Sequence, residues 1–372
     1  MPKSAISFAR YFAELPDPRV NRTKKHRLDD ILGIALCAVI CGADSFEEIQ
    51  RFGDAREDWL KGFLALPHGI PSHDTFNRVL AALDRDTFSA CFARWMTDLC
   101  VATGLRAIAI DGKACRGAPG DTFSGCLHLV NAWAVENHLF LGQVAVEGGS
   151  HEIAAMPELI KVLDLKGALV TLDAAGCQTQ IVKQVRDQGG DYLVAVKGNQ
   201  PALQRAVRAA FDRAGDAGFA GCEMVASVED GHGRHEERYV TVIRDPEGLP
   251  KDWADVGAVV MVGREREVGG RNTSTAHFYI TSLRNSAKEL AGYVRGHWGV
   301  ENGLHWCLDV SFREDANRTR DTNAGANLGV VRRVAASLLK QDKAKGSIRA
   351  KRLNAALDPG YLAKVLRGFT AN

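Results

Sequence analysis

Two aspartates each end a short apolar run in the 372-residue chain: Asp111 in AIAIDGK and Asp173 in LVTLDAA. If their strands are parallel neighbours in one sheet, both carboxylates reach the same edge, about 5 Å apart in strand spacing. Like charges that close repel unless a cation lies between them. Hard oxygen ligands with open coordination positions suit Mg²⁺ or Mn²⁺. Taken singly, an Asp after a strand caps the next turn or helix; taken together in this strand order, the pair reads as a metal site.

Two adjacent cations holding a scissile phosphate need a third carboxylate. Glu301, in VRGHWGVENGLHW (294–306), is the candidate. Helical spacing puts His297, Glu301 and His305 on one face, with Trp298 and Trp306 one position beyond. An acid among aromatics facing a sheet is costly unless it binds something. The plainer alternative makes the tryptophans core anchors and the histidines satisfied core donors. A zinc or iron hydrolase built on His297, Glu301 and His305 would leave both aspartates unexplained.

Other polar residues near these positions are candidate DNA contacts. Lys113 follows Asp111 closely, and Lys197 and Asn199 follow the strand after Asp173, although KGNQP also reads as a simple turn. GHGRHEERYV offers Arg234, His235 and Arg238, with a solvated hairpin as the alternative. Basic residues cluster twice, at Arg19–Arg27 and over 331–352, where Arg332, Arg333, Lys340, Lys343, Lys345, Arg349, Lys351 and Arg352 face a single acid, Asp342. Such clusters neutralise phosphates or form solvated helix faces.

The elements that must position these groups follow from periodicity. Residues 5–103 carry apolar positions at i, i+3, i+4 spacing, and Ser45 with Glu48 forms a capping-box signal ahead of one helix. This predicts an N-terminal helical domain over 1–103, in which LPHGIPSHDTFNRVL is either an ordinary loop and helix or the turn and second helix of a DNA-reading helix-turn-helix. DILGIALCAVICGAD (30–44) is too short to span a membrane and reads as a buried helix.

From 104 to 372 the order changes to strand RAIAID, a hairpin around Glu136-Asn137-His138, then helix, strand GALVTLDA, helix and strand DYLVAVKGN. This β-β-β-α-β-α-β order is that of an α/β, ribonuclease-H-like mixed sheet. A β-rich insertion occupies about 205–284, and basic C-terminal helices about 325–372.

Composition sets limits on class. With 46% hydrophobic and 25% charged residues the chain is an ordinary globular protein. The net charge of +2 argues neither for nor against nucleic acid. The nine scattered cysteines form no CxxC and point to reduced thiols. No membrane span or secretion signal is evident, so a cytoplasmic location is expected.

AIDGKACRGA, LVTLDAAGCQTQIVKQVRDQGGDYLVAVKGNQPAL and VRGHWGVENGLHWCLDVSFREDANRTRDTNAGANLGVVRR together resemble the H-repeat-associated proteins, transposases of ISAs-type bacterial insertion sequences within the DDE superfamily. LPDPRVNRTKKHRLDDILGIALCAVICGADSFEEI and GIPSHDTFNRVLAALD look like the helical domain that accompanies them, so the resemblance covers nearly the whole chain. It implies a catalytic triad and metal-ligand set of Asp111, Asp173 and Glu301 with two Mg²⁺ or Mn²⁺ ions. One ion would activate water, and later a DNA 3′-hydroxyl, while the other stabilises the leaving oxygen. The implied partners are double-stranded DNA with terminal inverted repeats, target DNA and a second copy of the chain, working at the bacterial nucleoid. A transposase-derived DNA-binding protein without catalysis is the rival of a different class.

One departure stands out. Related transposases carry Tyr, two residues, Arg, three residues, Glu, six residues, Lys; here those positions hold Val294, His297, Glu301 and Leu308, with Tyr293 and Arg295 out of register. Arg295, His297 and Asn302 are therefore expected to take over local DNA contacts.

Overall fold

A computed structural model describes residues 12, 14–103, 107–119, 125–146, 151–231, 234–268 and 271–367. Helices α1 (Leu28–Ile40), α2 (Phe46–Leu60), α3 (His73–Ala82) and α4 (Arg85–Thr103) come first, followed by strands β1 (Ala107–Pro119), β2 (Cys126–Ala134) and β3 (Leu139–Ala145). Next come α5 (Glu152–Val162), β4 (Leu169–Leu172), α6 (Thr179–Asp187), β5 (Asp191–Val196) and α7 (Pro201–Asp216). Four strands follow, β6 (Glu223–Gly231), β7 (Arg234–Arg244), β8 (Ala258–Val268) and β9 (Arg271–Thr281). The chain then forms α8 (Ala287–Val300), a π-helical turn (Glu301–His305), α9 (Trp306–Ser311), α10 (Thr322–Gln341), α11 (Ile348–Leu357) and α12 (Pro359–Arg367). These elements fall into two compact units: Met1–Leu105, Gly112–Val162 and Val300–Asn372 make one, and Arg106–Asp111 with Leu163–Gly299 the other.

The first unit is built around α10, in which every residue from Ala324 to Leu339 is buried against α1, α3, α4 and β3. A helix apolar on nearly all sides has no face to give to water. The same holds for α1, the segment read as a buried helix, where only Asp29 escapes burial. Its one buried acid, Asp30, is satisfied by the N–H groups of Ala65 and Leu66, each donating at 3.0 Å. The capping box forms at α2: Ser45 Oγ accepts from the Glu48 N–H at 3.2 Å, and Glu48 Oε2 accepts from the Ser45 N–H at 3.3 Å. β2 and β3 form the expected hairpin, closing at Ala134↔Leu139, with His138 at the turn in the left-handed region at φ 52°. Within this unit the strand order is β3-β2-β1, β1 contributing its second half.

In the other unit the order is β1-β4-β5-β9-β8-β7-β6. The first half of β1 runs parallel to β4 and β4 parallel to β5, while β9 joins β5 antiparallel and leads into the β8-β7-β6 meander. All four residues of β4 are buried, as in a parallel strand covered on both faces. The sequence β3-β2-β1-β4-β5, an antiparallel hairpin beside parallel helix-linked strands, is the ribonuclease-H-like mixed sheet the sequence predicts.

Candidate active site

The register of β1 against β4 pairs Ile110 with Leu172, so Asp111 and Asp173 are the next residues on two adjacent parallel strands. Ile110 and Leu172 are buried, and both aspartates are half-buried where the β1–β4 pairing ends, Asp173 just past β4 and Asp111 within β1, which runs on to Pro119 rather than ending there. Parallel pairing thus puts two carboxylates at neighbouring positions on one sheet edge. Asp173 is held by the turn that follows it: its Oδ1 accepts from the N–H groups of Ala175 at 2.9 Å and Gly176 at 3.2 Å. Asn199 braces the same turn, its Nδ2 donating to the Ala174 carbonyl at 2.7 Å. The turn-capping role therefore takes up one oxygen of Asp173, while its Oδ2 accepts no hydrogen bond among the described residues. Asn199 acts on the site through this turn, and its neighbour Lys197 is exposed beyond the end of β5.

His297 approaches from α8. Its Nδ1 lies 2.9 Å from Oγ1 of Thr171, a buried residue of β4. Burial pushes the imidazole pKa down to about 4, with the charge of Asp173 pulling weakly the other way. The ring is therefore neutral at pH 7. His297 is half-buried, and its bond to Thr171 holds the imidazole against β4.

Glu301 is exposed and begins the π-helical turn that separates α8 from α9. Short π segments inserted between α-helices recur at functional sites. The expectation of one uninterrupted helical face through His305 does not hold across this turn. Trp298 and Trp306 are 45% and 58% exposed, so neither is a core anchor. Trp298 Nε1 donates to the Tyr279 hydroxyl at 3.4 Å, and its ring meets His277 edge-on at 5.8 Å between centroids.

Beside Trp298 lies a cavity of about 130 Å³ lined by Arg238, Arg264, His277, Tyr279 and Arg295. Arg295 pairs with Glu229 at 2.8 Å, and Arg238 reaches Glu229 at 3.4 Å and also Glu236. Arg264, His277 and Tyr279 carry no signal in the sequence. Their link to Arg238 is cross-strand, through Arg238↔Arg264 and Val262↔His277, and shows only once the register is known.

Three DNA-contact expectations are corrected by burial. Lys113 is 6% exposed, its Nζ donating to Asp309 Oδ1 at 2.6 Å. Arg333 is fully buried, bonding Asn131 Oδ1 and Glu314 Oε1, each at 2.6 Å. Arg332 is also buried and donates to the Asp44 carbonyl at 3.0 Å. Buried cations committed to internal acceptors are withdrawn from any phosphate. The side chains of Arg234 and Asn302 lie outside the described residues.

The structure thus brings Asp111 and Asp173 to one edge and His297 onto β4. Among the described residues no three His, Cys, Asp or Glu side chains are grouped to hold a metal ion. No helix among the described residues is long and apolar enough to cross a membrane.

A family model described as Transposase DDE domain matches residues 76–337, and one described as DDE_Tnp_1-associated matches residues 9–96. "Putative transposase YncI" of Escherichia coli O157:H7 is 38% identical over 371 residues, covering 98% of this chain and 95% of its own length. "H repeat-associated putative transposase YhhI" of Escherichia coli strain K12 is 36% identical over 363 residues, covering 95% of this chain and 96% of its own length. Among solved structures, the cryo-EM structure of a piggyBac transposase synaptic complex with hairpin DNA aligns over 97% of this chain and 77% of that one, at 10% identity and a TM-score of 0.40. With a domain match of that extent and relatives similar along nearly their whole length, the chain belongs to the DDE transposase family.

Proposed function

We propose that this transposase cleaves and joins DNA strands at the terminal inverted repeats of an insertion sequence, with Asp111, Asp173 and Glu301 as the carboxylates of a two-cation site. The observation that supports this reading is the β1–β4 register, in which Asp111 and Asp173 follow the paired residues Ile110 and Leu172 of two parallel strands. Two hard carboxylates so placed fit Mg²⁺ or Mn²⁺. Glu301 is the proposed third ligand, one helical turn beyond His297, whose ring bonds β4. Bound divalent cations would supply charge neutralisation at the phosphate and activation of the attacking oxygen.

The chain's own groups then have separate tasks. Asp173 keeps one oxygen on its turn and offers the other. His297, neutral beside it, adds no positive charge that would compete with a cation. Lys197, exposed past β5, is the proposed phosphate contact at this edge. The domain division proposed with this function is a helical DNA-binding domain over residues 1–103 and a catalytic domain beyond it, working as a homodimer on paired ends and target DNA.

The test is cleavage of DNA carrying the element's own terminal repeats. Wild-type protein should nick at the ends with Mg²⁺ or Mn²⁺, and Asp111→Asn, Asp173→Asn and Glu301→Gln should each lose activity by at least about a hundredfold while still binding the DNA. Unchanged cleavage in one variant removes that residue from the site. Wild-type protein that binds the ends and cleaves none would be a DNA-binding descendant of a transposase instead.

A further inference from the structure

The cation nearest Asp111 in sequence is turned inward. Lys113 Nζ sits 2.6 Å from Asp309 Oδ1, 3.8 Å from Asp315 Oδ1 and 3.9 Å from Glu314 Oε2. Its side chain is 5% exposed and that of Glu314 2%. Asp309 belongs to α9, which continues directly from the π-helical turn that begins at Glu301. Two more contacts join the same stretches. The Arg116 N–H donates to Asp315 Oδ1 at 3.2 Å. At Gly117 the strand lies so close to the 315–317 backbone that an added Cβ would meet the Asn317 carbonyl oxygen at 2.2 Å and that of Asp315 at 2.5 Å. Only glycine permits that approach.

The second half of β1 is therefore fastened to the segment that follows Glu301 by a buried ion pair, a backbone hydrogen bond and a glycine contact. Of the three, only the ion pair joins β1 to the helix that continues from Glu301's turn. An ammonium set 2.6 Å from Asp309 is a directional tie, because removing it leaves Asp309 without its counter-charge, whereas Glu314 keeps Arg333. A carboxylate ligand at the start of a π turn, exposed to water, needs such support to hold its orientation.

We propose that Lys113 is a positioning residue: through Asp309 it fixes the helical turn bearing Glu301 to the strand that bears Asp111. This rests on the reading of Asp111 and Glu301 as cation ligands. Lys113 touches neither substrate nor cation, and its effect is on how well the site holds the ion.

The experiment uses the full chain and Mn²⁺. Mn²⁺ affinity is read by electron paramagnetic resonance without turnover, and in parallel the Mn²⁺ concentration for half-maximal cleavage of end DNA is measured. Lys113→Met and Asp309→Asn should each weaken Mn²⁺ binding by about tenfold and raise the half-maximal concentration by about the same factor. The double variant should lose no more than the worse single one, as for partners in one interaction. Melting temperature establishes that each variant is folded; if Lys113→Met does not fold, Asp309→Asn, at a partly exposed position, decides alone. Wild-type Mn²⁺ affinity in a folded Asp309→Asn or Lys113→Met protein, while Asp111→Asn has lost the ion, overturns the positioning role and leaves the metal site standing. Wild-type affinity in Asp111→Asn overturns the metal site itself.

Discussion

A histidine packed onto Thr171 and close to Asp173 is reluctant to take a proton, because burial penalises the imidazolium more than the neighbouring carboxylate favours it. In the unfolded chain His297 titrates near its ordinary value of about 6.5, whereas in the fold it titrates at about 4. As pH falls, the unfolded state binds this proton first. The stabilisation is complete above about pH 6.5 and is lost progressively toward about pH 4, by about 3 kcal/mol for this one group. Urea unfolding of metal-free wild type and His297→Gln across that range checks it: the stability difference between them should shrink as the solution is acidified, and a constant difference rejects the buried neutral histidine. At this scale the sequence was most legible where a residue ends an apolar run. Asp111 and Asp173 could be picked out because Ile110 and Leu172 before them had to be buried. The helical face of His297 is visible in the sequence, but its bond to Thr171 of β4 is not.

Among the elements, α10 decides how the basic C-terminal region should be understood. The run over 331–352 reads as a surface for phosphates, yet Arg332, Arg333, Lys351 and Arg352 serve internal acceptors while Arg349 is exposed. Arg352 donates to the carbonyls of Val39, in the last turn of α1, and Ser311, the last residue of α9. Lys351 bonds the Leu339 carbonyl at the end of α10 at 3.2 Å. Carbonyls at helix ends lack intrahelical donors, and cations suit the negative pole there. Arg333 instead crosses from α10 to Glu314. Burial alone would raise the pKa of Glu314, but the charges of Arg333, Arg332 and Lys113 overcome it and keep the carboxylate ionised. Breaking this pair from one side should be severe: Glu314→Gln or Arg333→Met is expected to cost about 3–5 kcal/mol in urea unfolding. A loss under about 1 kcal/mol, the range of exposed pairs, would show the pair to be solvated. Periodicity located α10 but could not show that water is excluded from all its sides. The π turn at Glu301 has no sequence signal here either, since no proline or glycine pair marks where the ladder widens.

For the whole molecule, the proposed attraction to DNA has to arise from a chain whose formal net charge is only +2 and whose Lys113, Arg332, Arg333, Lys351 and Arg352 are buried. Counting basic residues in the sequence overstates the charge available to a phosphate backbone, because it cannot separate cations that face solvent from those that terminate helices. Binding to end DNA should therefore depend on salt through a limited set of exposed cations, each phosphate contact adding about 0.9 to the slope of log affinity against log salt. Lys197, exposed beyond β5 at the same sheet edge as Asp173, is expected to be one of them. Lys197→Ala should lower the slope by about one and weaken binding to specific and unrelated DNA alike. Arg332→Met should leave the slope as it is, whatever it does to the melting temperature, because its guanidinium is held on the Asp44 carbonyl inside the fold. Filter-binding or anisotropy titrations over a range of salt concentrations distinguish the two. A slope that falls in Arg332→Met and not in Lys197→Ala would mean that the buried basic helix opens to meet DNA.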